Sequence, residues 1–152
     1  MFSHILIPLA PPLVPKTALM TAAALSVEQS AHVTLLCVIE KQYRFPSPLA
    51  IWTDRKRIAG FLGNASAIVS EFGMQPSTRI ARGIPGCKVI KNVAAAIGAD
   101  AIVVGTQRRA GEDTLDYGLA IQALLGEISV PVIVIHESPL WQQHTVASEL
   151  AS

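Results

Sequence analysis

Charge is scarce in this chain. Asp, Glu, Lys and Arg make up 15% of its 152 residues, and the formal net charge is +1 at pH 7. No overall field recruits nucleic acid or an anionic membrane. The basic residues form only two short clusters, Arg55-Lys56-Arg57 and Arg108-Arg109, and neither is a basic tract. Aromatics are also few, at 5%. The core filling is therefore Ala, Val, Ile and Leu, which suits strands buried on both faces. The two cysteines, Cys37 and Cys87, stand far apart, with no metal-ligand spacing and no disulfide framework. Cys37 lies within a buried-strand pattern and reads as a reduced, inert thiol of a cytoplasmic protein. Mean hydropathy is high, at +0.44, yet no apolar run approaches the ~18 residues that cross a bilayer. The first residues lack a positive n-region and carry Pro8, Pro11, Pro12 and Pro15, so no signal peptide is expected. His4, His32, His136 and His144 are scattered, without metal-ligand spacing. No Ser-His-Asp order, acidic pair or HExxH occurs, so the chain reads as a non-enzyme without a metal.

What is present is an alternation of apolar strands and amphipathic helices. HILIPL, residues 4–9, predicts a first strand, and Pro15 suits a helix start. A helix from Lys16 to about Ser30 places Leu19, Ala22, Ala23 and Ser26 on one face. VTLLCVIE, 33–40, predicts a second strand. Residues 41–53 hold two prolines and the aromatics Tyr43, Phe45 and Trp52, and read as a loop that covers the second helix or a ligand. Asp54 can cap that helix, whose apolar face is Ile58, Phe61, Leu62, Ala65, Ile68 or Val69, and Phe72, ended by Gly73. STRIAR, 77–82, alternates and predicts a half-exposed edge strand. A third helix follows GIPG, with Ile90, Val93, Ala94 and Ile97 inward and Gly98 at its end. AIVVG, 101–105, is a fourth strand. Ile121, Leu124, Leu125 and Ile128 mark a fourth helix, and PVIVIH, 131–136, a fifth, buried strand. The order βαβαβαβαβ means one open, doubly wound parallel sheet with helices on both faces. Residues 1–137 form the domain; 138–152 are weakly patterned and read as a mobile tail.

In such sheets ligands bind beyond the carboxyl ends of the strands, at the switch point. The stretch AIVVGTQRRAGEDTLDYGLAIQALLG, from Ala101, reads as strand, Gly-bearing loop and helix, the place where α/β proteins hold phosphates. Glycines let backbone N–H groups approach phosphate oxygens, and a hydroxyl at a helix N-terminus adds a donor.

Several segments together resemble the universal stress protein family. HILIPL resembles its first strand, VTLLCVIE its second, RGIPGCKVI the turn into its third helix, GADAIVVGTQRRAG its fourth strand and loop, and SVPVIVIH its last strand. The resemblance runs from about residue 3 to 137. It implies a Rossmann-like sheet of the adenine nucleotide alpha hydrolase type, with strand order 3-2-1-4-5. Nucleotide-binding members carry Gly-x-x-Gly, a spacer, then Gly-Ser or Gly-Thr, and an Asp at the end of the first strand. Here Gly105 and Gly118 fill two glycine positions. Arg108 stands at the other, Leu119 at the hydroxyl position and Ala10 at the Asp.

Two readings of the crevice follow. In one, the chain is a cytoplasmic regulatory or interaction protein whose crevice holds ATP weakly or not at all. Arg108 then pairs with Glu112, Asp113 or Asp116, which would repel a triphosphate. Each lost hydrogen bond to a charged phosphate is worth ~1.5–3 kcal/mol. In the other, ATP or another adenine nucleotide is the cofactor, bound by Gly105, Thr106, Arg108, Arg109 and Gly118, with Leu119, Ala10 and Val38 as the remaining contact positions. Slow nucleotide hydrolysis, with Asp113 or Asp116 as base or metal ligand, is a third. Thr106 reads equally as a local turn former, and Thr114 or Asp116 as the cap of the fourth helix. The flat, β-branched last strand would invite pairing with another chain at a sheet edge. The family commonly dimerises there, so a homodimer through Val132, Ile133, Val134, Ile135 and His136 is expected. Beyond it the expectation is a protein partner of unspecified kind, no nucleic acid and no membrane.

Overall fold

The computed structural model describes residues 1–11, 13–39, 55–83, 85–106 and 122–137. The elements run β1 His4–Leu9, α1 Lys16–Gln29, β2 His32–Ile39, α2 Arg55–Ser70, β3 Ser77–Arg82, α3 Gly86–Ile97, β4 Ala101–Gly105, helical residues 122–127 (α4), and β5 Val132–Ile135. The sheet is parallel in all its pairings, with order β3-β2-β1-β4-β5. The expected loop 41–53, the cap at Asp54 and the tail 138–152 lie outside the described residues.

Each central strand is apolar throughout because its two sides enter different cores. Ile5, Ile7, Leu9, Val33, Leu35, Cys37, Ile39, Ala101 and Val103 pack with α1 and α2. Leu6, Leu36, Ile102 and Val104 pack on the other face with Val93, Ala94 and Leu124 of α3 and α4. The helices change face because the strand order changes direction. The chain adds β2 and β3 on one side of β1, then crosses by α3 to β4 on the other. Right-handed crossovers in opposite directions lie on opposite faces. The switch point therefore falls between β1 and β4.

α1 is Ala-rich where it faces the sheet. Ala18, Leu19, Ala22, Ala23 and Ser26 are buried, and small side chains let the helix axis come close to the strands. In α2, Ile58, Leu62, Ala65 and Val69 are buried while Phe61, Ile68 and Phe72 pack at the margin. Its last turn tightens, with Phe72 and Gly73 donating to Val69 and Ser70 carbonyls. Gly73, at φ 84°, then ends the segment in a conformation that favours glycine.

Two expectations are corrected. β5 is less buried than its apolar run implies: it is the edge strand beyond β4, as the order 3-2-1-4-5 requires, Val132, Ile133 and Ile135 are half-buried, and Val134 is 43% exposed. Nor does Leu125 face the core. Leu124 and Ile128 point inward, one helical turn apart, and Leu125, rotated from them by a residue, is 48% exposed. β3 is the opposite edge, as its alternation implies, but it is more open than half-exposed. Five of its six residues are exposed, Ile80 among them.

The amino ends of β1 and β4 are tied by Asp100. Its carboxylate accepts from the backbone N–H of Ser3 at 2.9 Å and of His4 at 3.0 Å, and from the Ser3 hydroxyl at 2.9 Å. These donors stabilise the charged form and hold its pKa down to about 2, against an ordinary 3.8. A depressed carboxylate adds stability above its unfolded value and loses it as pH falls through the folded one. Asp100→Asn should therefore lower the urea midpoint at neutral pH and flatten the loss of stability between about pH 4 and pH 2. A second outcome concerns Ser26, whose Oγ is buried with no partner among the described residues. An unmade buried hydrogen bond costs about 1–3 kcal/mol. Ser26→Ala should raise the urea midpoint at unchanged slope.

Candidate functional site

The switch point brings together the carboxyl ends of β1, β2, β4 and β5 and the first turn of α1. Ala10 is exposed just past β1, and Val38 is half-buried near the end of β2. They lie one residue beyond the Leu9–Cys37 register pair, so both reach the same edge of the sheet. Gly105 ends β4 and Thr106 follows it. Arg108, Arg109, Gly118 and Leu119, with Glu112, Asp113, Thr114 and Asp116, lie outside the described residues.

Gly105 has a packing reason to be glycine. A Cβ there would stand 2.5 Å from Pro15 Cβ and 3.3 Å from Ala18 Cβ. The end of β4 thus lies directly on the first turn of α1, and a side chain would push the two apart. Thr106 is turned inward as well. It is 6% exposed, and its N–H donates to the Ile135 carbonyl at 2.9 Å. Its Oγ1 lies 3.2 Å from the same carbonyl, to which it donates, and 3.2 Å from His136 Nδ1. The hydroxyl clips β4 to β5.

The residue that organises this corner is Glu137, to which sequence reasoning gave no role beyond the last position of the domain. Pro15, the N-cap of α1, makes no side-chain cap. The orphan N–H of Ala18, in the first turn, instead donates to Glu137 Oε1 at 2.8 Å. Glu137 is 2% exposed. A buried carboxylate is tolerated where donors and a helix N-terminus meet it. The two residues are 119 apart in sequence, and no local pattern links them. The available signal was negative: α1 opens with prolines and has no Ser, Thr, Asp or Asn at its cap.

The described part of the site therefore consists of an occupied corner and a short exposed rim. The α1 N-terminus holds an internal carboxylate, the β4 end is packed shut on Pro15 and Ala18, and His136 is exposed beside them. Cys37 is fully buried, and burial pushes its pKa up, with Arg82 pulling more weakly the other way. Among the described residues no group of three or more His, Cys, Asp or Glu could hold a metal ion, and no helix is long and apolar enough to cross a membrane.

Comparison with known proteins places this geometry. The family model described as the universal stress protein family matches residues 1–136. The fold is similar to universal stress protein UspA from Lactobacillus plantarum, with TM-score 0.71 and 18% identity over 88% of this chain and 97% of that one. A protein of the same family from Burkholderia pseudomallei gives 0.68 and 21%, over 88% and 95%. The universal stress protein from Archaeoglobus fulgidus, solved in complex with dAMP, gives 0.60 and 18%, over 88% and 97%. No curated protein matches the sequence.

Two substitutions check the corner. Gly105→Ala should destabilise by about 1–3 kcal/mol, the ordinary range for overpacking, read as a lower urea midpoint. Glu137→Ala should cost about 0.5–2 kcal/mol, as for loss of a helix cap, with the largest amide shift at Ala18.

Proposed function

Because the chain belongs to the universal stress protein family, we propose that it acts as a cytoplasmic regulatory or interaction protein of that family, homodimeric and without catalytic activity, whose crevice holds adenine nucleotides weakly or not at all. The observation that carries this reading is Glu137. Its carboxylate accepts from the Ala18 amide in the first turn of α1, at the switch point, so an anion entering there meets a carboxylate and finds that amide already engaged. The substitutions Ala10, Arg108 and Leu119 point the same way, because each removes a group that nucleotide-binding relatives use. Thr106, the hydroxyl that follows β4 among the described residues, donates to β5.

The homodimer rests on β5. A four-residue edge strand of Val and Ile, with Val134 exposed and no strand beyond it among the described residues, offers free backbone groups on an uncharged surface. Pairing of two such edges would bury it.

A second reading has one observation in its favour: a relative of the same fold was solved with dAMP. In that case Arg108 and Arg109 would supply the phosphate contacts that glycine N–H groups make elsewhere.

Calorimetric titration with ATP and with AMP, with and without magnesium, separates the two. The proposal expects no heat of binding below millimolar nucleotide. Micromolar affinity that is lost in Arg108→Ala would overturn it in favour of the second reading. Light scattering at micromolar protein should give twice the chain mass, and Val134→Lys should give the chain mass.

A further inference from the structure

The amino ends of the strands, on the side of the sheet away from the crevice, carry a polar ladder that the proposed function does not use. His4 and His32 are register partners on β1 and β2. Their rings meet edge to face, with centroids 5.0 Å apart and planes at 77°. His4 Nε2 lies 2.7 Å from Thr34 Oγ1, and His32 Nε2 lies 2.7 Å from Ser77 Oγ on β3. On the other side of β1, Asp100 holds the backbone of Ser3 and His4. Asp100, His4, His32 and Ser77 thus link the amino ends of four adjacent strands, β4, β1, β2 and β3, in a row.

A hydroxyl can donate to a neutral imidazole or accept from a protonated one, so each ring keeps its partner in either state. What the ladder does not tolerate is charge on both rings at once, because two cations at this separation repel. The groups that act on His4 are few. Burial disfavours its charged form most, and His32 opposes it next. The Ile97 carbonyl and Asp100 favour it, and the balance lies below the ordinary 6.5. His32 is exposed, with Ser77 Oγ at its Nε2. Folded His4 then binds a proton less readily than unfolded His4. Stability is complete above about pH 6.5 and is lost as pH falls below it.

We infer that the His4–His32 pair is an acid-sensitive clasp, which holds the amino ends of β1, β2 and β3 together while at most one ring is charged and loosens when the second is charged. The consequence is directional. Among the described strands β3 is joined to the sheet only by β2, so displacement of the amino end of β2 carries with it the edge strand that bears the exposed Arg79, Ile80 and Arg82. The carboxyl ends, with Glu137 and Thr106, are left in place.

Two-dimensional NMR of the histidine rings in the full chain, followed from about pH 8 to pH 4.5, tests this. The rings should titrate in two separate steps. His32→Gln should move the His4 midpoint upward by about half a unit to one unit, up to tenfold in proton affinity. Amide exchange, corrected for intrinsic rates, should quicken below about pH 6 at the amino ends of β1 and β2 and not at Thr106 or Ala18. Independent titration of both rings with one common midpoint would overturn the inference. So would equal quickening at both ends of the sheet. If His4→Gln does not fold, the native ring titration and the His32→Gln shift decide alone.

Discussion

A first strand buried on both faces is the constraint on which the rest of this molecule depends. Ile5, Leu6 and Ile7 are each fully buried, so β1 must be covered from two sides by a chain that has only one direction of crossover available. The chain meets that demand by reversing its strand order after β3. α1 and α2 cover one face, α3 and α4 the other. The crevice between β1 and β4 is a by-product of this reversal. It exists in any such sheet, whatever is bound in it, and for that reason the fold alone does not specify a ligand.

In this chain the crevice corner is closed from within. Short side chains on α1 let the helix settle on the sheet until β4 can end only in glycine. A helix that opens with prolines has no cap of its own, and the first turn must find an acceptor elsewhere. Glu137 supplies it from the end of β5. One carboxylate thereby joins the first turn of the first helix to the segment that follows the last strand.

Most of the architecture was legible in the sequence because the strands are buried on both sides. Their continuous apolar runs, separated by amphipathic helices, indicate one open, doubly wound parallel sheet. The five resembling segments gave the same topology and the family. What sequence did not disclose were features set by distance in the fold. β5 and the central strands have the same composition, and only strand order makes β5 an edge. Leu124 and Leu125 are identical residues, and only the helix rotation buries one and exposes the other. Gly105 looked like half of a phosphate loop, but its neighbours Pro15 and Ala18 lie ninety and eighty-seven positions earlier. Glu137 and Ala18 are further apart still. The pairing of His4 with His32 required the register of two strands.

At the switch point the chain itself engages the first turn of α1, through Glu137 on the Ala18 amide. The exchange rate of the Ala18 amide measures this most directly. The amide should exchange slowly in the native protein, quicken by about tenfold in Glu137→Ala, as expected for the loss of ~1.4 kcal/mol of local protection, and stay unchanged in the native protein at millimolar ATP. A native Ala18 amide that exchanges freely, and gains protection only when ATP is added, would contradict it.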